Sequence, residues 1–386
     1  MSSKQNVVYV VGGDHHNGLG LARIFGLNGV EVRSLVAGDC KKSFLRKSKY
    51  VSESLVFPTE KNAYDYLSKL PECDLKPFII PYSDTSALEL DKRLDEFKDR
   101  YYVPSINNTQ GEIARLMDKQ NQYAFAKSAG IRMAYTVTAD IKAESHPELD
   151  RMPFPCIIKP VISAEGHKRD IAICKDRDEL LSVVNKYKEH GYYRALVQEY
   201  LTIDYEIDVF GCTLKQKPFI CQIPTHTIRS WLPKGGTNSF SRIITEPKIV
   251  SGCKRIIEAV KNCGFYGLYD IELFVVHGDI ILNEVNLRNS GDVYMSLAQK
   301  YYYPYAWYCD VLGEKIKILP NPTRADYTMT ECADFRNVLT HHVGLSEWFR
   351  DYRKCKDYAL RFKGDMGPAL SRYAYYVKQF IKGKRL

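Results

Sequence analysis

The chain has 386 residues and a formal net charge of +9, and its length predicts two or three domains. It has no basic and apolar leader at its N-terminus and no run of about 18 apolar residues, so we expect a cytoplasmic protein without a membrane span. The 11 cysteines include no C-x-x-C pair and no zinc spacing, which makes a structural metal site unexpected.

The positive charge is spread along the chain and is dense only in CKKSFLRKSK and in the C-terminal KQFIKGKRL. No aromatic and basic nucleic-acid motif accompanies it, so we expect no nucleic-acid partner and an attraction for small anionic molecules. The basic tail is either a solvated helix end or a weak contact with a membrane surface or a carrier protein. A homodimer stays open.

The first hundred residues alternate strand-like and helix-like segments, which predicts a small parallel α/β domain. The opening VVYVVGGDHHNGLGLA places glycines as G-G-x-x-x-x-G-x-G and not as G-x-G-x-x-G, and the second strand lacks a terminal acidic residue. We therefore interpret it as a first βα unit and not as a dinucleotide site. The predicted elements are strands at Val7–Val11, Val30–Leu35, Ser54–Phe57 and Phe78–Pro81 and a helix at about Thr85–Arg100.

The pattern changes after about residue 105. Ser83 and Asp84, just beyond an apolar strand, cap a helix or form a polar rim. The stretch IARLMDKQNQYAFAKSAG predicts one helix that ends at Gly130. Residues 154–288 then read as antiparallel strands with two helices between them, and a basic C-terminal region follows LPNP.

The stretch YDIELFVVHGDIILNEVNLR carries the most chemistry, because it predicts a hairpin with polar side chains. A three-residue turn at His277–Asp279 sets Glu272 opposite Glu284 and Asp270 opposite Asn286 on one face. Opposed like charges destabilise a hairpin unless a cation lies between them, and oxygen ligands of this kind suit Mg²⁺ or Mn²⁺.

Two alternatives stay open for this hairpin. The polar face is also compatible with plain solvation, and a two-residue turn shifts the register and uncouples the pairs. Arg288 lies two residues beyond Asn286, where a guanidinium is able to contact a transferring phosphoryl group or an oxyanion.

Two lysines in IIKPVISAEGHK are candidates for phosphate contact: Lys159 leaves an apolar strand, and Lys168 follows in the next loop. A lysine at a strand end is also common without any such role. Further on, ALVQEYLTIDYEIDVFG places a polar turn after an apolar strand. This turn is either ordinary or one that presents backbone groups to a purine, with Asp204 or Glu206 on a ribose.

In order, Lys119, Lys159 in IIKP, VQEYL followed by YEIDV, Glu272 and NEVNLR resemble the ATP-grasp superfamily, which includes carbamoyl phosphate synthetase, biotin carboxylase, D-alanine–D-alanine ligase and D-aspartate ligase. The resemblance covers about residues 1–310. It implies an α/β and α+β fold: an N-terminal parallel α/β (pre-ATP-grasp) domain at 1–105, a two-lobed ATP-grasp domain with antiparallel sheets at 106–315, and a basic C-terminal region at 316–386.

The resemblance also implies roles for individual residues. Arg288 would contact an acyl phosphate, and with Lys159 it would be catalytic. In the substrate loop HTIRSWLPKGGTNSFSRI, Arg229, Lys234 and Arg242 either pair with a substrate carboxylate or belong to a solvated loop. The remaining implied contacts are ATP phosphates for Lys119 and Lys159, adenine for Gln198, Glu199 and Leu201, ribose for Asp204 or Glu206, and magnesium for Glu272, Glu284 and Asn286.

The implied activity is that of an ATP-dependent carboxylate–amine ligase, in which a small-molecule carboxylate becomes an acyl phosphate that an amine attacks, with release of ADP and phosphate. One alternative is acylation of a carrier-protein thiol or of a sugar or lipid-linked precursor. Another is a nucleotide-binding module without catalysis. The metal set and Arg288 argue against that last alternative, because a module that only binds needs fewer groups.

Overall fold

The computed structural model describes residues 6–160, 171–232 and 236–381. The strands are β1 (Val8–Gly13), β2 (Val32–Ala37), β3 (Glu53–Phe57), β4 (Phe78–Pro81), β5 (Ser105–Ile106), β6 (Thr136–Asp140), β7 (Cys156–Pro160), β8 (Ala172–Cys174), β9 (Arg194–Glu199), β10 (Tyr205–Thr213), β11 (Ile220–Trp231), β12 (Thr237–Ile243), β13 (Phe265–Tyr266), β14 (Leu268–Val276), β15 (Asp279–Asn286), β16 (Tyr327–Met329) and β17 (Cys355–Tyr358). The α-helices are α1 (His16–Leu27), α2 (Glu60–Lys69), α3 (Asp84–Lys92), α4 (Leu94–Phe97), α5 (Glu112–Met117), α6 (Lys119–Ser128), α7 (Arg177–Glu189), α8 (Pro247–Asn262), α9 (Tyr303–Val311), α10 (Glu331–Leu339), α11 (Leu345–Lys354) and α12 (Gly367–Ile381).

Contacts divide the chain into two compact units. The first contains Met1–Ala114, Ile207–Glu272 and Asn286–Leu386, and the second contains Arg115–Glu206 and Leu273–Val285. This division does not follow the three contiguous segments expected from the sequence, since the region after residue 315 packs within the first unit. Of the helices in the described residues, none has both the length and the apolar character that a membrane span requires.

The first unit contains the predicted N-terminal parallel sheet, with strand order β3-β2-β1-β4 and every neighbouring pair parallel. The apolar runs that predicted these strands are buried, as Val8 and Val10 show. The same core includes Phe210 of β10, Trp307 of α9 and Ala359 near the C-terminus. The N-terminal and C-terminal parts of the first unit therefore share one hydrophobic core.

Tyr82 explains the glycines of the first βα turn. A Cβ atom on Gly12 would lie 2.5 Å from the Tyr82 ring, and one on Gly18 would lie 2.9 Å from it. The Tyr82 hydroxyl also donates a hydrogen bond to the Gly13 carbonyl oxygen at 2.8 Å. These glycines allow close packing of β1 and α1 on an aromatic ring, which is the role expected of an ordinary first βα unit.

A buried ion pair joins α1 to the C-terminal region within the first unit. Arg23 Nε lies 3.0 Å from Asp365 Oδ2, and both side chains are almost fully buried. Arg23 also donates to the Leu360 carbonyl oxygen at 2.7 Å. Ser48 and the Lys49 backbone N–H donate to the same aspartate, which satisfies its buried oxygens.

The larger sheet has the strand order β15-β14-β10-β11-β12-β16-β17, and residues 273–285 of its hairpin belong to the second unit. Its pairs β10–β11, β11–β12 and β12–β16 are antiparallel, and β16–β17 is parallel. The second unit has its own four-stranded sheet, β6-β9-β7-β8, with antiparallel neighbours throughout. The predicted antiparallel character of this part of the chain is confirmed.

Two helix predictions need correction. The single helix expected up to Gly130 is interrupted, because the Asp118 side chain accepts hydrogen bonds from the backbone N–H groups of Gln120 and Asn121 and so starts α6 anew. The helix expected at 85–100 is split into α3 and α4. Ser83 caps α3, with its hydroxyl accepting from the Ser86 N–H, as one of the two alternatives proposed.

The predicted three-residue hairpin turn is also wrong. Strand β14 ends at Val276 and β15 begins at Asp279, which leaves only His277 and Gly278 in the turn. Both have positive φ, at 50° and 79°, as a tight type I′ turn requires. A two-residue turn shifts the register by one, so the opposition of Glu272 to Glu284, which was based on a three-residue turn, loses its support.

Candidate functional site

Arg288 is fixed between two carboxylates in the first unit. Its Nε lies 2.7 Å from Oδ1 of Asp84, and its Nη1 pairs with Oδ2 of Asp270. Burial lowers the pKa of the guanidinium, but the charges of Asp270 and Asp84 outweigh this effect and leave the pKa raised. Arg288 thus stays a cation in a region where only 13% of its side chain is exposed.

Further carboxylates of the first unit act on one another in the same region. Burial and the charge of Asp270 raise the pKa of Asp292 to about 7, although Asn238 donates a hydrogen bond to it at 3.0 Å. Burial, followed by the charges of Asp292, Asp270 and Glu272, raises the pKa of Asp208. Burial is the largest cause of both shifts, and the charges of the neighbouring carboxylates add to it.

The second unit contains another ion pair of predicted site residues. Lys119, the first residue of α6, has its Nζ atom 2.6 Å from Oε2 of Glu284 on β15. One turn later, the Gln122 amide donates to the Val285 carbonyl oxygen at 2.9 Å and accepts from the Val285 N–H at 3.0 Å. This pair of hydrogen bonds attaches α6 to β15 and brings Lys119 to Glu284.

The residues predicted to contact adenine lie at the end of β9. The Gln198 amide donates to the Thr136 hydroxyl at 3.0 Å. Glu199 Oε2 accepts from the Tyr135 N–H at 3.1 Å, and the Glu199 N–H donates to the Tyr135 carbonyl oxygen at 2.8 Å. Leu201 is half-buried just after this strand. These hydrogen bonds fix the strand end, and the adenine contacts stay a prediction.

The candidate phosphate and ribose residues also lie in the second unit. Lys159 is half-buried on β7, which pairs with both β8 and β9. Asp204 is exposed, and its Oδ2 accepts from the Gly278 N–H at 3.2 Å, so it stabilises the hairpin turn. Glu206 is half-buried, and burial raises the pKa of its carboxyl group. Lys168, the other candidate phosphate residue, lies outside the described residues.

The candidate substrate arginines are both engaged by carboxylates. Arg229 donates to both oxygens of Asp334, at 2.9 and 2.8 Å, and to Asp351 at 3.1 Å. Arg242 pairs with Glu246. The Arg229 geometry favours a structural role, so its substrate contact stays a prediction without support from these contacts. Lys234, the third candidate, lies outside the described residues.

Within residues 6–160, 171–232 and 236–381, no group of three or more His, Cys, Asp or Glu side chains is arranged to hold a metal ion. The donor chemistry still fits a hard cation, because Asp208, Asp270, Glu272 and Asp292 interact electrostatically in the first unit. The magnesium ligands therefore stay a prediction that rests on donor type and charge.

The comparisons with known proteins identify a domain in the middle of the chain. The family model of the ATP-grasp domain matches residues 124–300. The chain carries an ATP-grasp domain. The match includes Lys159, Glu272 and Arg288, whereas Lys119 lies just before it.

Curated relatives are similar to this chain over more residues than the ATP-grasp domain model matches. The formate-dependent phosphoribosylglycinamide formyltransferase of Methanocaldococcus jannaschii is 24% identical over 233 residues, which are 58% of this chain and 57% of that protein. The enzyme of the same name from Methanococcus maripaludis strain C7 is 28% identical over 203 residues, or 50% and 49% of the two chains. The chain spans about half the length of the curated relatives it matches.

Solved structures support the same fold over more of the chain. The N5-carboxyaminoimidazole synthetase of Staphylococcus aureus matches with a TM-score of 0.62 at 15% identity and covers 88% of this chain and 87% of that one. The L-amino acid ligase of Bacillus licheniformis matches with a TM-score of 0.59 at 12% identity, covering 84% and 80%. The predicted fold, an N-terminal parallel α/β domain followed by an ATP-grasp fold, is confirmed.

Sequence reasoning missed three residues of this region. Asp208 lies on the alternating strand YEIDVF, Asp292 lies four residues after Arg288, and Gln122 lies one helical turn after Lys119. In the sequence, Asp208 and Asp292 are single acidic residues that belong to no recognisable motif. Gln122 follows the helical spacing of Lys119, so a search for side chains at i+3 would have found it.

Proposed function

We propose that this protein is an ATP-dependent carboxylate–amine ligase that works through an acyl phosphate. The observation that carries the proposal is Arg288, a buried cation fixed by Asp84 and Asp270 within the span of the ATP-grasp match. The names of the similar proteins, which include a phosphoribosylglycinamide synthetase and an L-amino acid ligase, support a synthetic reaction.

The carboxylate substrate would attack the γ-phosphoryl group of ATP, with an acyl phosphate and ADP as products of this step. A carboxylate is a poor acylating agent because oxide is a poor leaving group, and phosphorylation supplies a better one. An amine would then attack the acyl carbon and displace phosphate. Both steps need positioning and neutralisation of charge, and no protein nucleophile is required.

Arg288 has the chemistry for the charge that develops in these steps. Its planar guanidinium donates several hydrogen bonds in a fixed fork, which suits phosphoryl and acyl oxygens. Asp84 and Asp270 hold that fork in one orientation, so little reorganisation is needed when charge develops. Lys159 and Lys119 are proposed to contact the phosphates, and Lys168 is proposed to assist them.

Mg²⁺, or Mn²⁺, is proposed to be held by Glu272, Glu284 and Asn286, and when bound it neutralises phosphate charge. The mutual repulsion among Asp208, Asp270, Glu272 and Asp292 supports this part of the proposal, since a hard cation offsets such repulsion. Gln198, Glu199 and Leu201 are proposed adenine contacts, and Asp204 or Glu206 is the proposed ribose contact.

Phosphate release tests this proposal. The purified protein with Mg-ATP is assayed against amino acids, dipeptides and uronic acids, each with and without an amine acceptor. We expect release that depends on one class of carboxylate and product formation that depends on an amine. Release that no carboxylate stimulates, together with no thermal shift on addition of ATP, would contradict the proposal.

The variant Glu284→Gln tests the proposed role of Glu284 as a metal ligand. It keeps the size of the side chain and removes the charge that pairs with Lys119, so we expect loss of ligation with a largely intact fold. Circular dichroism and thermal unfolding check the fold in parallel. Wild-type turnover in Glu284→Gln would refute its role as a metal ligand.

A further inference from the structure

The C-terminal helices α10, α11 and α12 line an apolar cavity of about 540 Å³ that is open to solvent. Its walls are mostly aromatic, and they include Phe335, Trp348, Phe349 and Tyr376. A volume of this size and an apolar lining with few polar groups are typical of sites for small organic molecules. None of the residues assigned above to ATP or metal lines it, so it is a separate feature of the first unit.

Apolar side chains at this cavity remain open to solvent. Val377 is 58% exposed, Phe349 49%, Leu339 43% and Phe335 37%. Contiguous exposed apolar surface in a soluble protein marks a place where something binds, whereas single exposed apolar residues need no explanation. Four such residues from three helices around one concave surface favour a ligand that fills the cavity.

Arg336 gives this cavity its one strong polar feature. Its guanidinium lies 5.8 Å from the Trp231 ring centre and 5.5 Å from that of Tyr376. Among the described residues, no carboxylate forms an ion pair with Arg336, in contrast to Arg229, Arg288 and Arg23. The other charged residue of the lining, Glu331, is satisfied by backbone N–H groups and the Tyr373 hydroxyl.

Arg336 and Tyr376 also line a second, smaller cavity of about 150 Å³. This one has a mixed lining, with His15, His16 and Thr330 among its polar walls, and is the more polar of the two. The two cavities therefore meet at Arg336, with an apolar chamber on one side and a polar chamber on the other. A molecule that spans this junction needs an apolar end and a polar end.

Side-chain contacts at the wall of the smaller cavity involve Thr330, Tyr294 and His16. The Thr330 hydroxyl lies 3.1 Å from the Tyr294 hydroxyl, and the Tyr294 ring contacts His16 edge-on with 5.7 Å between ring centres. Burial lowers the pKa of His16, so its imidazole is neutral at pH 7 and does not compete with Arg336 for an anion. The charge of Arg288 also acts on His15, which indicates that the chamber is near that arginine.

We propose that these joined cavities bind a small carboxylate with an aromatic or branched aliphatic group, such as an apolar amino acid. The apolar group lies among the aromatic residues of α10–α12, the carboxylate pairs with Arg336, and the polar chamber holds the remaining polar groups. That this molecule is a ligase substrate rests on the proposed function, whereas its binding does not. The unpaired cation at the junction favours this occupant over a membrane or a protein helix.

Binding without ATP tests the site. Isothermal titration calorimetry of the 386-residue chain uses L-phenylalanine and 3-phenylpropanoate as probes, with phenethylamine and L-aspartate for comparison. We expect the two apolar carboxylates to bind and the comparison molecules to bind at least 10-fold more weakly. Phenethylamine binding as tightly as phenylalanine, or no binding by either apolar carboxylate, would overturn the proposal.

Two matched pairs of variants locate the site. Arg336→Met should weaken the apolar carboxylates by about 10- to 100-fold, as loss of a charge-assisted hydrogen bond predicts, whereas Arg353→Met on α11 should not. Val377→Glu should abolish binding, whereas Leu370→Glu, at an equally exposed α12 position outside the lining, should not. Equal losses in both members of a pair would overturn the assignment.

Parallel assays separate this inference from the proposed function. If the probes bind but no carboxylate stimulates phosphate release, the ligase proposal fails and the site stands. If other carboxylates stimulate release while no apolar carboxylate binds, the site fails and the ligase proposal stands. Association of the wild-type protein with phosphatidylglycerol vesicles, lost in Val377→Glu and without probe binding, would identify a membrane contact instead.

Discussion

Arg288 and Arg229 each lie between two aspartates, but the carboxylates near the two arginines differ in their pKa shifts. Both arginines lie in the first unit, and each donates to two aspartates. Around Arg229, the fully buried Asp334 accepts both arms of the guanidinium fork, and its Oδ1 also accepts from the Ser239 hydroxyl at 2.7 Å. This arrangement leaves few unsatisfied groups and has the character of a structural ion pair.

The pKa values of the neighbouring carboxylates show the difference. Burial acts to raise the pKa of Asp351, but hydrogen bonds from Arg229 and Lys354 outweigh it and leave the pKa lowered. Near Arg288, the pKa values of Asp208 and Asp292 are raised. The carboxyl group of Asp351 is stabilised as an anion by two cations, whereas burial and neighbouring carboxylates disfavour the anions of Asp208 and Asp292. Perturbed carboxylates of the second kind are typical of a site that binds something charged.

Arg229→Met should have the largest effect on stability. It leaves Asp334 buried without its cation, and the loss of one partner of a buried pair costs about 3–5 kcal/mol. Urea unfolding measures the change in the free energy of unfolding, and Arg353→Met, at an exposed position on the same unit, serves as the control. A loss below about 1 kcal/mol would remove the distinction between the two arginines.

Arg288→Lys should lower ligation by roughly 100- to 1000-fold, because lysine keeps the charge and loses the guanidinium fork. We expect a much smaller change in the free energy of unfolding than in Arg229→Met, since a cation still faces Asp270. Steady-state kinetics and urea unfolding of the same preparation measure both. A rate loss that only follows the folded fraction would make Arg288 a structural residue as well.

The N-terminal sheet, the Ser83 helix cap and the candidate role of Arg288 could be predicted from the sequence, and the reasons are local. The β1 and β4 strands are apolar runs between turn residues, and Ser83 has the composition of a helix cap, so their periodicity and type determined them. Arg288 was found because it lies two residues beyond Asn286 on the polar hairpin, and because NEVNLR resembles a family motif. Such signals depend on neighbours in the chain and not on tertiary contacts.

The predictions that were wrong or missing concern features that neighbours in the chain do not determine. Arg229 was a candidate for substrate binding because its partner Asp334 lies 105 residues away and no local pattern indicates it. The hairpin turn was misjudged because His277 adopts a positive φ that few residues other than glycine adopt. Asp292 was missed because its importance depends on burial beside Asp270, which the sequence does not display.

Asp292→Asn should change the pH dependence of stability. The folded pKa of about 7 lies above the ordinary value near 3.8, so the folded state retains a proton that the unfolded state loses, and stability falls as pH rises between these values. The melting temperature of the variant relative to wild type should increase from pH 4.5 to pH 7 and then level off. A difference that does not vary with pH would contradict the raised pKa.

The smallest effects on stability should come from the exposed partner in each region, Asp84 and Lys354. Asp84 is 56% exposed and Lys354 47% exposed, so Asp84→Asn and Lys354→Met should each cost about 0–1 kcal/mol. Only Asp84→Asn should lower kcat, because Asp84 holds Arg288 Nε and orients its fork.

Because Asp84→Asn and Lys354→Met should have the same small effect on stability, only their kinetics can distinguish the Arg288 region from the Arg229 region. If Asp84 is a positioning residue, kcat falls with little change in the KM for ATP, and Asp84→Glu restores part of the rate. Lys354→Met should leave both constants unchanged, since Asp351 keeps its hydrogen bond from Arg229. Equal kinetic effects in the two variants would show that the orientation of Arg288 by Asp84 has no effect on the reaction.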